Sequence, residues 1–192
     1  MDDGLSPPYQ TAAHIFAQHI LASTPDAKIG VLYQNDNLGK DYLVGLRNGL
    51  GHDHGAMIIK EVSYEVAEPT VDSQVVTLQG SGADTLIIAA TPKAGAQTIR
   101  NAYDIGWMPA RYISYPASSI ATTLKPAGLD KSKGLITSQF TKDTTDSRWR
   151  DDPRFREYAA FMAKYMSAAD FTDFNAVNGF TVAEMLTLRF RC

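Results

Sequence analysis

The chain has 192 residues, of which 44% are hydrophobic and 20% are charged, and its formal net charge is −3 at pH 7. This composition is that of an ordinary globular domain and excludes disordered, fibrous and disulfide-stabilised scaffolds. No basic block is present, so the electrostatic footprint of a nucleic-acid-binding protein is missing. The apolar runs are also far shorter than the roughly 20 residues that span a bilayer.

Short apolar runs alternate with segments of helical periodicity along the first 140 residues. The apolar runs predict five β-strands, at residues 28–34, 56–63, 84–90, 111–115 and 134–140. The segments between them predict helices at residues 39–50, 71–79 and 92–106, and a shorter helical turn within 118–127. This alternation predicts an α/β fold: a Rossmann-like, three-layer αβα arrangement around a mainly parallel, five-stranded sheet.

The composition changes after Phe140. Residues 141–153 are polar and rich in turn-forming residues, and Pro153 then begins a helix with aromatic residues at helical spacing. A final helical pattern follows a polar break at residues 167–173. We therefore expect a domain boundary after residue 141, with residues 1–141 as one unit and 142–192 as an incomplete helical segment of another.

The two termini carry further indications. The acidic start, Met1–Leu5, has neither the basic nor the apolar segment of a secretory signal peptide. The last helical pattern runs on without a Gly or Pro terminator, which predicts that the chain is cut within an element. The single cysteine, Cys192, cannot form an intrachain disulfide, so cysteine usage does not indicate a redox compartment.

The loops beyond the carboxyl ends of the strands are the expected functional positions, because open parallel sheets bind ligands there. These loops are residues 34–38, 63–70, 90–94, 116–120 and 140–145. The first loop lacks the three glycines of a dinucleotide fingerprint, and Gly39-Lys40 lacks the other residues of a phosphate-binding P-loop. We therefore expect no bound cofactor.

Catalytic and metal sites are not favoured by the sequence either. His14 and His19 are spaced so that they point to different faces of a helix, and the turn His52–His54 has no third ligand at a suitable spacing. No nucleophile elbow is present. Ser118 and Ser119 precede a helical turn, where a helix N-cap and a hydrogen bond to a ligand are both open interpretations. We expect no catalytic residue, no metal and no enzymatic activity.

A set of short segments occurs in order along residues 29–153: Ile29–Leu50, Ser63–Val66, Pro69–Gln74, Ser81–Asp84, Ala90–Lys93, Gly106–Pro109, Lys125–Leu129, Lys133-Gly134, Trp149 and Asp151–Pro153. Together they resemble the second lobe of type I periplasmic binding proteins, in the leucine/isoleucine/valine-binding family of ABC-transporter receptors. No single segment is diagnostic, and the indication comes from their number and order.

This resemblance implies two Rossmann-like lobes joined by three crossings, with a small-molecule ligand clamped between the lobes. The chain would begin near the first crossing at residues 6–9, form the second lobe, cross back at residues 138–146 and end in a helix of the first lobe. It would then be a partial receptor without its signal peptide. The resemblance also implies a periplasmic location and an ABC permease as partner.

The resemblance further implies candidate ligand-binding residues, which are Asn37, Leu38, Thr91, Pro116, Ala117 and Ser118 in the second lobe and Asn175 and Asn178 on the first-lobe side. In the branched-chain amino-acid receptors an aromatic residue stands at the position of Thr91. An acidic residue in the loop after the fourth strand meets the ligand ammonium, and that acid is absent here. Because a buried ammonium without a counter-charge is costly, the missing acid favours a neutral, carboxylic or aromatic small molecule, while the resemblance itself implies a branched-chain amino acid-like ligand.

Two further expectations concern other classes of function. A small flavodoxin-like enzyme or cofactor-binding module would use the same crevice, and it would need a cofactor or a reactive pair at residues 34–38 and 90–94. The helices at residues 155–165 and 174–190 carry apolar stripes, and exposed apolar stripes of this kind predict a homo-oligomer.

Overall fold

The structure, a computed structural model, describes residues 7–169 and 171–189. The helices are α1 (Tyr9–Ser23), α2 (Asn37–His54), α3 (Asp72–Gly80), α4 (Pro92–Asp104), α5 (Lys125–Ala127), α6 (Pro153–Tyr165) and α7 (Phe174–Arg189). The strands are β1 (Ile29–Gln34), β2 (Ile58–Tyr64), β3 (Thr85–Ala89), β4 (Ala110–Ile113) and β5 (Leu135–Thr137). The acidic start Met1–Leu5 and Cys192, to which the sequence analysis refers, lie outside the described residues.

The five strands form one sheet with the order β2-β1-β3-β4-β5, and every neighbouring pair is parallel. This arrangement confirms the predicted α/β fold class. Strand β5 is shorter than the predicted 134–140, because only Leu135–Thr137 pair with β4. Helix α2 is longer than the predicted 39–50 at both ends, since it starts at Asn37 and continues through a kink at Gly51 to His54.

Successive side chains of the central strands point to opposite faces of the sheet, so the molecule has two hydrophobic cores. One core lies under α1 and α2 and contains Val31 and Ile87. The other lies under α3 and α4 and contains Leu32 and Ile88. Helices therefore cover both faces, as in the predicted three-layer αβα arrangement. No helix in the described part of the chain has the length and apolar character that crossing a bilayer needs.

Helices α6 and α7 follow the polar segment and pack against each other as a helical unit. Asp152 caps α6, since its carboxylate accepts hydrogen bonds from the backbone N–H groups of Arg154 and Phe155. The ring of Tyr158 lies 5.1 Å from that of Phe171 and 5.4 Å from that of Phe180, measured between centroids. This aromatic contact holds the two helices against each other.

Aromatic packing also joins this unit to the sheet. The ring of Tyr115, which follows β4, lies within 5.1–6.5 Å of the rings of Tyr9, Phe140 and Phe174. These three rings come from the segment before β1, the segment after β5 and the start of α7. The start of α1, the segment after β5 and the start of α7 therefore meet at one residue beside the carboxyl end of β4.

Candidate functional site

Three polar side chains meet where β1, β2 and β3 end. The register of β1 and β2 pairs Gln34 with Tyr64, and Thr91 follows β3 directly before α4. The hydroxyl groups of Tyr64 and Thr91 each donate a hydrogen bond to Gln34 Oε1, both at 2.9 Å. The backbone N–H of Thr91 in turn donates to Tyr64 Oη at 3.3 Å. The ends of three strands are thus cross-linked by one buried glutamine.

Asp36 extends this cluster to the start of α2. Gln34 Nε2 donates to Asp36 Oδ2, and Asp36 Oδ1 accepts from the backbone N–H of Gly39 at 3.3 Å, so that it caps the helix. The start of α2 lies very close to the end of β1: a Cβ at Gly39 would be only 2.0 Å from the carbonyl oxygen of Gln34. We call Gln34, Asp36, Tyr64 and Thr91 the Gln34 network.

The electrostatics of this network follow from its burial. Gln34 and Tyr64 are each only 4% exposed. Burial raises the pKa of the Tyr64 phenol, the hydrogen bonds with Thr91 lower it in part, and the nearby Asp36 carboxylate raises it further. Tyr64 is therefore neutral near pH 7 and keeps the proton that it donates to Gln34.

A second polar cluster lies where β4 ends. Ser114 Oγ donates to the carbonyl oxygen of Ala90 at 2.6 Å and so ties this end to that of β3. Ser118 Oγ donates to the carbonyl oxygen of Tyr115, while Ser119 Oγ accepts from the backbone N–H of Thr122. The N-cap interpretation is therefore confirmed for Ser119.

Asp173 brings a carboxylate to this second cluster from the segment before α7. Its Oδ1 atom accepts hydrogen bonds from Ser119 Oγ at 3.0 Å and from the backbone N–H of Asn175 at 3.1 Å. The sequence analysis considered only the loop after β4, which has no acidic residue, and it therefore missed this carboxylate. A cavity of about 50 Å³ lies beside the cluster, with Ser118, Ser119 and Thr172 in its wall.

The predicted ligand-binding residues are divided between these clusters and the core. Thr91 belongs to the Gln34 network and Ser118 to the second cluster, where Asn175 also lies. Leu38 is only 8% exposed and Ala117 is fully buried, so both side chains pack inside the protein. The other three residues have solvent-accessible surface: Asn37 is exposed at the first position of α2, while Pro116 and Asn178 are half-buried.

Gln34 and Tyr64 are further residues of the candidate site that the sequence analysis missed. Each is the last residue of a strand, and each is a buried group with a polar end in an otherwise apolar environment. A polar residue that ends a buried strand is the signal that could have indicated them, since such a group needs a hydrogen-bond partner.

A larger groove lies between α6, α7 and the segment after β5, and it shares Thr141, Lys142, Thr144 and Val177 with the wall of the smaller cavity. Its volume is about 270 Å³, and its wall includes Phe155, Tyr158 and Phe180 together with Arg154 and Glu184, which form an ion pair at 2.8 Å. Within the described residues, no group of three His, Cys, Asp or Glu side chains is placed to hold a metal ion.

Several solved structures share the fold of this chain, and three of them are described as binding or transport proteins. A substrate-binding periplasmic protein from Ralstonia solanacearum is 26% identical, with a TM-score of 0.76 over 90% of this chain and 47% of that one. A branched-chain amino acid ABC transporter protein from Thermus thermophilus, solved with bound valine, is 15% identical, with a TM-score of 0.79 over 92% of this chain and 44% of that one.

A third structure, described as a possible leucine/isoleucine/valine-binding protein from Rhodopirellula baltica, is 19% identical, with a TM-score of 0.77 over 93% of this chain and 48% of that one. The chain thus spans about half the length of the solved structures that it matches. No curated protein sequence matches it significantly.

The sequence also matches a family model. That model describes periplasmic binding proteins, and the match extends over residues 5–188. The parallel sheet, its two helical layers and the fold of the solved structures agree with this match. Because the match includes nearly all of the sequence, the chain belongs to the periplasmic binding protein family, and its fold is that of the type I members.

Proposed function

We propose that the chain binds a small organic solute at the carboxyl edge of its sheet, as part of the receptor of an ABC uptake transporter. The Gln34 network is the observation that supports this most directly. It fixes polar groups on the rigid ends of three strands, which is how binding proteins orient a ligand without catalytic chemistry. The proposed location is the periplasm and the proposed partner is the transporter's permease.

The proposed contacts are the predicted residues that reach solvent, namely Asn37, Thr91, Pro116, Ser118, Asn175 and Asn178, of which Thr91 and Ser118 carry hydroxyl groups fixed by the two clusters. The proposed ligand is a branched-chain amino acid-like, carboxylic or aromatic compound. Asp173 accepts a hydrogen bond from Ser119 and places a carboxylate at this edge of the sheet. Because a carboxylate can pair with an ammonium group, an amino acid is also a proposed ligand.

The proposed organisation assigns residues 1–141 to the second lobe of a two-lobed receptor and residues 142–192 to part of the first lobe. The matched structures are about twice as long as this chain, which supports a second cleft wall supplied by residues outside it. For the chain alone we propose self-association through α6 and α7, because these helices carry apolar side chains at their surface, Phe161 and Tyr165 among them.

The experiment is NMR-detected titration of the chain with L-valine, L-leucine and benzoate. With one cleft wall only, we expect Kd values no tighter than about 1 mM. At least one compound should produce saturable shifts at residues 34–38, 91 and 116–118. Thr91→Val should weaken that binding about fivefold, since it removes one hydrogen-bonding group worth about 1 kcal/mol.

Thr77→Val is the matched control, because Thr77 is an exposed threonine on α3 whose hydroxyl bonds only within its own helix, to the carbonyl oxygen of Ser73. It should leave the titration unchanged. The proposal is contradicted if no compound gives saturable shifts, or if flavin absorbance in the purified protein shows a cofactor-binding module instead. A micromolar Kd would contradict the one-walled site.

A further inference from the structure

Each hydrogen bond of the Gln34 network can run in only one direction from donor to acceptor. This limits which chemical group of a ligand can bond to Thr91. The direction starts at Asp36, whose ionised carboxylate can only accept. The amide end that meets Asp36 Oδ2 must therefore be the NH₂ group of Gln34, and Oε1 must face the other way. The chemistry of the partners alone sets the orientation of this amide.

The two hydroxyl groups are then also oriented. Gln34 Oε1 is a carbonyl oxygen and can only accept, so the hydroxyl protons of Tyr64 and Thr91 both point to it, at oxygen–oxygen distances of 2.9 Å. The backbone N–H of Thr91 is also engaged, since it donates to Tyr64 Oη. Thr91 has no other donor, so both of its hydrogen-bonding protons are used inside the protein.

We propose that Thr91 is a specificity-determining residue that accepts a hydrogen bond from the ligand, so that the bound group beside it is an N–H or O–H donor and not a carboxylate. This inference rests on the proposed function. A carboxylate placed there would face the oxygen lone pairs of Thr91. To bind it, Thr91 would have to release Gln34 Oε1, which would lose one of its two partners while buried.

Gln34 acts in this proposal as a positioning residue. It is only 4% exposed, and it imposes the direction of the hydroxyl through Oε1. Replacing Gln34 with leucine removes that acceptor and frees the hydroxyl proton of Thr91 to turn outward. The Thr91 hydroxyl should then accept and donate hydrogen bonds equally well, and the preference for a ligand donor should disappear.

The test uses three small probes of similar size on the isotopically labelled chain: propionamide, N,N-dimethylpropionamide and propionate. Only propionamide carries N–H donors. Its apparent affinity, followed at the Thr91 methyl and amide resonances, should exceed that of either other probe at least fivefold, the equivalent of one hydrogen bond. In Gln34→Leu that ratio should fall towards one.

Gln10→Leu serves as the control, because it removes a glutamine–aspartate hydrogen bond on the exposed outer side of α1 and α2. It should keep the fivefold ratio. If Gln34→Leu does not fold, the ranking of the three probes on the unaltered chain decides the question. Propionate binding as tightly as propionamide, or a ratio that persists in folded Gln34→Leu, would overturn the inference.

The remaining outcomes separate this inference from the proposed function. Saturable shifts confined to residues 116–118, with none at Thr91, would overturn the role of Thr91 and leave solute binding at the sheet edge supported. The absence of saturable shifts at every residue would contradict both.

Discussion

Tyr42 and Tyr64 place phenol groups inside the protein. Tyr42 lies on α2 with 1% of its surface exposed, and its hydroxyl oxygen accepts from the backbone N–H of Tyr115 at 3.4 Å. Burial raises the pKa of both phenols above the ordinary value of about 10, most strongly for Tyr42. In the folded chain each phenol therefore keeps its proton at a pH at which the unfolded chain has lost it.

The free energy of unfolding should consequently fall in alkaline solution. The stability that these raised pKa values contribute is complete below about pH 10 and is lost as the pH rises towards the folded-state pKa. Each tyrosine contributes up to about 1.4 kcal/mol per pH unit to that loss. In Tyr42→Phe one such contribution is absent, so urea unfolding at about pH 8 and pH 11 should show a shallower decline than in the unaltered chain.

Tyr165→Phe is the control for this measurement, since the Tyr165 side chain is 64% exposed. Its decline should match that of the unaltered chain. Tyr42→Phe will also lose about 1 kcal/mol at pH 8, because the N–H of Tyr115 loses its acceptor. The slope with pH is therefore the deciding quantity, and equal slopes in Tyr42→Phe and the unaltered chain would show that the phenol does not carry the effect.

The site could be predicted from the sequence only where local signals were enough. Thr91 stands between a buried strand and Pro92, so its position at the sheet edge follows from the order of residues alone. Gln34 and Tyr64 are 30 residues apart, and their contact depends on the register of β1 against β2. Leu38 lies in the first turn of α2 and Ala117 in a short 3-10 helix after β4, and both are buried, which residue spacing does not reveal.

At the scale of elements, α1 and α2 pack closely because glycines face the contact. A Cβ at Gly45 would lie 2.1 Å from the carbonyl oxygen of Gln10, and one at Gly49 would lie 2.6 Å from the Cβ of Ala17. Neither glycine has a positive φ, so the requirement comes from space and not from backbone conformation. Gly45 and Gly49 therefore set the distance between α1 and α2.

Gly45→Ala should therefore destabilise the fold by about 1–3 kcal/mol or more, since the added methyl group meets backbone atoms that cannot move separately. Gly80→Ala is the matched control: Gly80 ends α3 and a Cβ there would meet no atom within 4 Å. It should be neutral or stabilising by up to about 1 kcal/mol. Chemical unfolding of both variants measures the difference, and equal stability would show that α1 and α2 can separate without cost.

Most strands could be predicted to within about two residues, whereas β5 could not. Residues 134–140 have the composition of a strand, but β4 offers only Arg111–Ile113 as partners, so pairing ends at Thr137. The guanidinium of Arg111 also donates to the carbonyl oxygens of Lys131 and Lys133, at 2.8 and 2.7 Å. These bonds fix the segment that leads into β5. Strand length here depends on the neighbouring strand, which local sequence does not show.

At the scale of the whole molecule, α6 and α7 differ from the other long helices in how little they bury. Only Tyr158 and Met162 are buried on α6, and on α7 Phe174 is the one buried residue among those whose side chains the structure describes. The groove on their outer side has a volume of about 350 Å³ and includes Phe161 and Phe180 in its wall. The wall also includes Arg154, Glu157 and Glu184, so this is a mixed surface with exposed aromatic rings, of the kind that another protein can cover.

The last prediction concerns this surface. In the chain alone, a second copy should cover it, so sedimentation velocity should show a dimer or larger species whose fraction rises with concentration. Phe161 is 37% exposed, and Phe161→Lys places a charge in the contact. Losing the burial of a phenylalanine, worth about 1.5–3 kcal/mol, should weaken the association at least about tenfold.

Val76→Lys distinguishes this surface from general apolar association, because Val76 is 55% exposed on α3, a helix that packs over the core opposite to the one that contains Phe174. It should leave the dissociation constant unchanged. A clean monomer of the unaltered chain at the highest concentration reached would refute self-association, and equal weakening by Val76→Lys and Phe161→Lys would move the contact away from α6. If only Phe161→Lys weakens it, the helical pair is the face through which this chain meets a second protein surface.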